Sequence, residues 1–570
     1  MGWDHQKPFD DNKNGIVLLR HVTKRIPRFP VNIHFTPNYD PWMATLRNCA
    51  LTCRAMLTSF ISLSYSGTLD LQSLPSGLLH LEIGKNANSG DFRRFTQLQS
   101  LKFFNHQHQS VPLTHLPPSL LELRMFRHGY DDLIRLEPST NNLVPVLPEG
   151  LTRLCITGRC HGELLPSTLT DLEVHRGEIL GQNKLSTSLT RLSLIDVPPH
   201  DLDGLPNSLL YLRISEKTKP DQNWSLINRN RYGRLPPELE EFNLTSHNQY
   251  CDDLCLNDLP KSLKKLRLSV HKNTSLDNLP LGLTSLVISN FEIADNALDN
   301  LPDELENLEI FISRYKKHSL RSLPSKLTSL TLAVRKEGTD WLDIDHLLQK
   351  NGLKRLKLWD NRMAMTAPTM TAASLVGSRL THLLVDKPGE VRFSKILPET
   401  LTHLTLGEHY NQPLNGLPSG LTHLFIGNHY NYGKKTHGSN LSDEGKTGDE
   451  DTKGDLDDLP TNLQHLVIGP ECYEKINKFP KKLSRLVIGH WYQHPICRLP
   501  ERLTYLWIGA IWHFAKTPLP VLPSSLCRLY LPETDLDRLS TPLSPNLSLC
   551  PLSIGQQNDP WVHGIDVWFE

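Results

Sequence analysis

The sequence predicts a β-solenoid: one long parallel sheet of short strands joined by irregular or one-turn 3₁₀ return segments, behind a small α-helical N-terminal domain. Three observations predict it. First, a phrase of Leu-Pro, two variable residues, Leu, two more, Leu, one more and a β-branched residue or Leu recurs from Leu74-Pro75 to Leu522-Pro523. Second, its spacing of roughly 20 residues is that of a unit too small to bury its own apolar face, so neighbours must stack. Third, alternation inside each unit has the period of two that places side chains on opposite faces of a strand.

Residues 1–65 precede the array. Ile16, Leu18, Leu19, Val22 and Ile26 have helical spacing, as do Leu46, Cys49, Ala50, Cys53 and Met56 beyond a loop with Pro37 and Pro41, so two or three helices are expected there.

The repeats occupy residues 66–532, and Leu397-Pro398-Glu399-Thr400-Leu401-Thr402-His403-Leu404-Thr405-Leu406-Gly407 shows how one works. Leu404 and Leu406 share one strand face, whereas His403 and Thr405 share the other. Pro398 lacks an N–H and biases the chain towards extended geometry, which suits a bend that need not donate to a ladder. Gly407, Gly427, Gly469, Gly489 and Gly509 close successive strands, where a turn with positive φ would favour glycine. Residues 333–396 lose the Leu-Pro signal, yet Leu353–Leu358 and Leu380–Val385 keep the strand pattern, so the array continues with longer returns and a short helix at 345–350. Residues 433–457 are rich in Gly, Asp, Glu, Lys and Ser, the composition of a disordered, solvated insertion. Residues 533–570 are expected to cap the last open core, with the alternating run Trp561–Phe569 as cover.

The segments after the strand glycines carry a resemblance. Gly407-Glu408-His409-Tyr410-Asn411-Gln412-Pro413-Leu414 leads into Leu417-Pro418, and Gly427-Asn428-His429-Tyr430-Asn431 repeats it. This resembles the FNIP repeat, a leucine-rich-repeat relative of amoebae and the giant viruses that infect them. The resemblance implies a leucine-rich-repeat-like solenoid, with Tyr410 and Tyr430 as core aromatics and Asn411 and Asn431 bonded to loop backbone. Ile16–Val22 and Leu46–Met56 resemble the helices of an F-box, which docks a substrate receptor onto the Skp adaptor of a cullin-type ubiquitin ligase. That resemblance implies an adaptor-binding surface of Leu18, Leu19, Leu51 and Met56. The alternative is that residues 1–65 only cap the array.

Composition excludes several other classes. Basic and acidic residues balance at 61 each, so no global field favours nucleic acid or an anionic membrane. The pairs Cys49/Cys53, Cys155/Cys160 and Cys251/Cys255 miss the two-residue gap of a zinc knuckle, and the remaining cysteines are scattered. There is no secretory leader at Met1-Gly2-Trp3 and no apolar run of membrane length, so a soluble, intracellular protein is expected. His382, His403, His423 and His465 each precede a strand leucine and should line up across neighbouring strands, where polar ladders are routine and a metal site is not expected. Phosphate-cradling loops, nucleophile elbows and zinc-helix motifs are absent from the sequence, and neither catalysis nor a cofactor is expected.

The second strand face distinguishes the two halves of the array. It is charged or polar early, at Glu82, Lys102, Arg124, Glu173, Arg213, Asn243, Arg267 and Glu309. Later it becomes Phe425, Val467, Val487, Trp507 and Tyr530, flanked by Arg485, Tyr505 and Arg528. Such a stripe on the concave face is expected to be exposed and to bind a protein partner, with Trp507 as anchor and Arg485 and Arg528 as rim; the alternative is that the chain's own C-terminal segment folds over it.

Overall fold

The computed structural model describes the strand-bearing part of each repeat between residues 76 and 552, together with two short strands at 32–34 and 62–65. Each repeat starts from the same turn. The carbonyl of the repeat proline accepts the N–H of the leucine three residues on, as in Leu401 to Pro398 at 3.0 Å, Leu120 to Pro117 at 3.2 Å and Leu503 to Pro500 at 3.1 Å. Proline costs nothing at that position, because only its carbonyl is needed. The next two N–H groups converge on one carbonyl of the preceding repeat: Thr402 and His403 reach Thr381 O at 2.9 and 3.0 Å. The strand therefore begins already in register with its neighbour.

The residue just before the turn leucine ties the repeats together again. Its side chain donates to the preceding repeat's backbone: Ser119 to Leu98 O at 2.9 Å, Ser208 to Leu189 O at 2.7 Å, Thr400 to Leu380 O at 2.7 Å and Ser525 to Leu503 O at 2.7 Å. Each such bond contributes about 0.5–1.5 kcal/mol net, so the small polar residue at this position is structural.

Two compact units divide the chain, residues 1–268 and 269–570. In the first, parallel strands follow one another in register from Asn32–His34 through Ser62–Tyr65, His80–Ile83, Ser100–Asn105, Glu122–Arg127, Arg153–His161, Asp171–His175, Arg191–Val197, Tyr211–Glu216 and Glu241–Ser246 to Lys265–Ser269. Strand Arg153–His161 is long enough to enter a second small sheet, where its far end pairs with Ile134–Leu136 and Ile179–Leu180. In the second unit twelve strands form the ladder among the described residues, from Ser285–Glu292 to Ser548–Leu552.

The core of both units is a stack of leucine columns. Leu401, Leu404 and Leu406 are 0, 1 and 0% exposed, as their equivalents are up and down the array. Burying each contributes about 1.5–3 kcal/mol before ordering entropy is subtracted. Tyr410 is buried in the same core, as the FNIP-repeat resemblance implies. The strands Arg355–Asp360 and His382–Val385 bear out continuation of the array where the Leu-Pro signal fades.

Some expectations need correction. The glycines that close the strands do not have positive φ; among the described residues only Gly158, Gly204 and Gly416 do. Gly407, Gly469, Gly489 and Gly509 instead prolong the ladder, Gly407 N donating to Val385 O at 2.8 Å. The parallel ladder already includes Asn32–His34 and Ser62–Tyr65, inside the stretch read as helical, and Ser548–Leu552 continues it beyond residue 532. The helices expected around 16–26 and 46–56, Tyr430, Asn411, Asn431 and the run 561–569 lie outside the described residues. Of 433–457 only the end is described, where Asp455–Asp458 forms a 3₁₀ turn with Leu456 buried.

Candidate functional site

The second unit's strand face opposite the leucines carries two parallel columns. The inner column runs Leu384, Thr405, Phe425, Val467, Val487, Trp507 and Tyr530, each directly opposite the next in register. Phe425, Val467, Val487 and Trp507 form one apolar cluster against which Tyr505 and Tyr530 pack. The stripe is as continuous as expected, but it is not exposed: these four side chains are 5, 7, 1 and 3% accessible. A parallel sheet covered on both faces reads as unbroken apolar runs, and His-Leu-Phe-Ile, Arg-Leu-Val-Ile and Tyr-Leu-Trp-Ile are such runs. That signal was present in the sequence. In the first unit the same face alternates, as in Lys-Leu-Arg-Leu at Lys265–Leu268, and stays partly open.

The outer column is Arg355, His382, His403, His423, His465, Arg485, Tyr505 and Arg528, again in register. These side chains are half-buried, except Arg528, which is exposed. The rings stack along the column. His403 lies 4.0 Å from both His382 and His423, with planes 10° and 14° apart, and His423 meets His465 edge-on at 4.2 Å. Arg485 then sits over the Tyr505 ring at 4.4 Å, and Tyr505 packs on Tyr530 at 5.3 Å.

Threonines orient three of these histidines. Thr402 Oγ1 lies 3.0 Å from Thr381 O and 2.9 Å from His403 Nδ1, which fixes the orientation of the ring. Thr381 and Thr422 hold His382 and His423 in the same way. Rings stacked in this way point their equivalent nitrogens in parallel directions and not at a common point. Burial holds all four imidazoles below their ordinary pKa, at about 4 for His382, about 3 for His423 and about 4 for His465, with neighbouring histidines as the secondary cause for His382 and His423 and Arg485 for His465. The ladder is neutral at physiological pH.

The residues expected to bind a partner therefore separate by depth. Arg485, Tyr505, Arg528 and Tyr530 remain reachable, whereas Phe425, Val467, Val487 and Trp507 lie beneath. Leu18, Leu19, Leu51 and Met56, expected to bind an adaptor, lie outside the described residues.

Stacked parallel strands on Leu-Pro turns define a parallel β-solenoid. Within it the family model of the FNIP Repeat matches residues 394–429, so the chain carries an FNIP repeat there. Similar solved structures include CroV588, described as a novel circular LRR protein, at 23% identity and TM-score 0.47 over 87% of this chain and 76% of that one. YopM from Yersinia enterocolitica WA-314 is similar at 19% identity and TM-score 0.33, over 91% of this chain and 99% of its own. The mouse RP105/MD-1 complex is similar at 15% identity and TM-score 0.40, over 83% and 90%. No curated protein matches the chain in sequence. Among the described residues, no helix is long and apolar enough to cross a membrane.

Proposed function

We propose that this solenoid is a protein-interaction scaffold, not an enzyme, and that it meets its partner through the outer column of the second unit. One observation carries the reading: Arg485, Tyr505 and Arg528 stand in register at the accessible end of a stacked ring column, on a buried apolar layer that holds them rigid. Arginine and tyrosine are the side chains that dominate binding hot spots, because they bring large, pre-ordered contact area with a polar tip. Trp507 serves as the floor beneath them and not as the anchor.

The test compares capture from a cell lysate by wild type and by the double variant Tyr505→Ala with Arg528→Ala, captured proteins being identified by mass spectrometry. Loss of a hot-spot pair costs about 2 kcal/mol or more of binding, so specific partners should drop out of the double variant while its melting temperature holds. An unchanged set of partners would remove the column from the interface.

A finer reading makes the scaffold a substrate receptor of a cullin-type ubiquitin ligase, with Leu18, Leu19, Leu51 and Met56 against a Skp-type adaptor. It rests on the helical spacing of 16–22 and 46–56. The adaptor-free alternative draws support from strands Asn32–His34 and Ser62–Tyr65, which join the ladder instead of standing apart. Co-purification of an adaptor with the full chain, and its loss in Leu51→Asp, would favour the ligase; no adaptor in either preparation would leave the plain scaffold.

A further inference from the structure

The first unit holds a group of side chains that neither the repeat pattern nor the partner surface uses. Cys155 on strand Arg153–His161 faces Glu173 on Asp171–His175 in register, and His175 lies two residues further along the same face. Their Sγ, carboxylate oxygen and imidazole nitrogen all fall within 4.8 Å of one another. His175 Nε2 and Glu173 Oε1 are already 2.9 Å apart. Cys155 is buried, while Glu173 and His175 are partly open to solvent.

The backbone beside this trio departs from the rest of the array. Arg176, immediately after His175, has φ of 53°, and Asp196 on the next strand has φ of 54°; among the described residues they are the only non-glycine positions in the left-handed region. Gly158, three residues after Cys155, has φ of 135°. Gly177 approaches it so closely that a Cβ would lie 1.7 Å from Gly158 O. Arg176 N donates to Ile195 O at 2.8 Å, which pins the turn. Strained backbone of this kind persists only where its surroundings over-determine it, and it concentrates at functional sites.

We propose that Cys155, Glu173 and His175 form a three-ligand site for a divalent ion of the zinc class, with a fourth position open to water or to a partner's side chain. Thiolate, imidazole and carboxylate are the zinc donor set, and a tetrahedral ion with bonds of about 2.0–2.3 Å needs donors about 3.3–3.8 Å apart. The trio meets that spacing after side-chain adjustments of about an ångström. Charge also balances: one thiolate and one carboxylate neutralise the ion. Arg124, opposite Cys155 in the row, donates its Nε to Glu122 Oε1 at 2.7 Å, and its charge also acts on Cys155 and Glu173. In the metal-free state burial keeps the Cys155 thiol protonated, and Glu173 is held low chiefly by its bond to His175. Ion binding thus releases the thiol proton to solvent and moves the imidazole proton to Nδ1, freeing Nε2 as ligand.

The test is cobalt(II) titration of the reduced full-length protein, read by absorbance. Wild type should develop a thiolate-to-cobalt charge-transfer band that saturates at one ion per chain, be bleached by zinc(II), and bind about tenfold more tightly per unit rise in pH while the thiol stays protonated in the metal-free state. Cys155→Ser should abolish the band, and His175→Gln should weaken binding about 100-fold or more, beyond what loss of a supporting partner does. Cys160→Ser, buried five residues away and outside the trio, should leave the band in place. Absence of the band in wild type overturns the proposal even if a variant fails to fold, and so does a band that survives Cys155→Ser or disappears in a folded Cys160→Ser.

Discussion

The imidazoles of His382 and His403 lie face to face, with centroids 4.0 Å apart and planes 10° from parallel. Two cations cannot share that geometry in a half-buried site without strong repulsion, so the stack exists only while its members are neutral. In the folded chain His382, His423 and His465 titrate near 3–4 and burial lowers His403 as well, whereas in the unfolded chain each imidazole titrates near 6.5. Between those values the unfolded state binds more protons, so stability rises with pH across the window and is lost as pH falls from 6.5 towards 4.

Denaturant unfolding of the double variant His403→Gln with His423→Gln should therefore show a flatter decline than wild type over that pH range. The two curves should converge in shape above it. Parallel curves would mean that the ladder is solvated enough to titrate normally.

Trp507 marks the difference between a binding anchor and a floor. At 3% exposure within the apolar cluster, Trp507→Ala should cost about 3–5 kcal/mol of stability, seen as a lower denaturation midpoint with an unchanged slope. Stability equal to wild type with lost partner capture would restore the exposed-stripe reading.

The two strand faces differ in what a truncation does. Leu404→Ala should cost about 2–5 kcal/mol, because the residue is 1% exposed in the leucine column. His403→Ala, one residue away on the other face and half-buried, should cost about 1 kcal/mol or less at neutral pH. Equal losses would place both residues in the core.

Gly177 admits no side chain. Gly177→Ala would force backbone apart, since the obstructing atoms are Gly158 O, C and Cα at 1.7, 2.1 and 2.8 Å. The expected loss is about 3 kcal/mol or more, the upper end for overpacking or above it, read by thermal melting. A neutral outcome would mean that the Gly158–Gly177 approach is not present in solution.

Much of this architecture was legible because a leucine every few residues has one physical explanation. Leu404 and Leu406 could be assigned to the core from alternation with Thr405, and Pro398 to a bend from its missing N–H. What stayed hidden depended on neighbours in space. Whether Phe425 or Trp507 meets solvent depends on what covers the second face, and alternation cannot report that, although the unbroken runs around them do carry the signal. The bonds of Ser119, Ser208 and Thr400 have no local signal, because their acceptors sit one repeat back. The pairing of Cys155 with Glu173 and His175 depends on strand register, which no local pattern reveals.

The turn that begins each repeat bonds its own proline to its own leucine and then docks on the repeat before it, so nothing in it measures the length of chain between. Thr422 Oγ1 reaches back 20 residues to Thr402 O, while Asn462 Nδ2, across the long insertion, reaches back 43 to Ser419 O at 2.9 Å. The ladder does not register the difference: His423 faces His465 as His403 faces His423. Doubling a loop raises its closure cost by only about 0.6 kcal/mol. The return between His423–Ile426 and His465–Ile468 is therefore a place where foreign sequence can be spliced in with little penalty, and the frame can diversify there, or be loaded by design with a displayed peptide, while the strands beneath stay as they are.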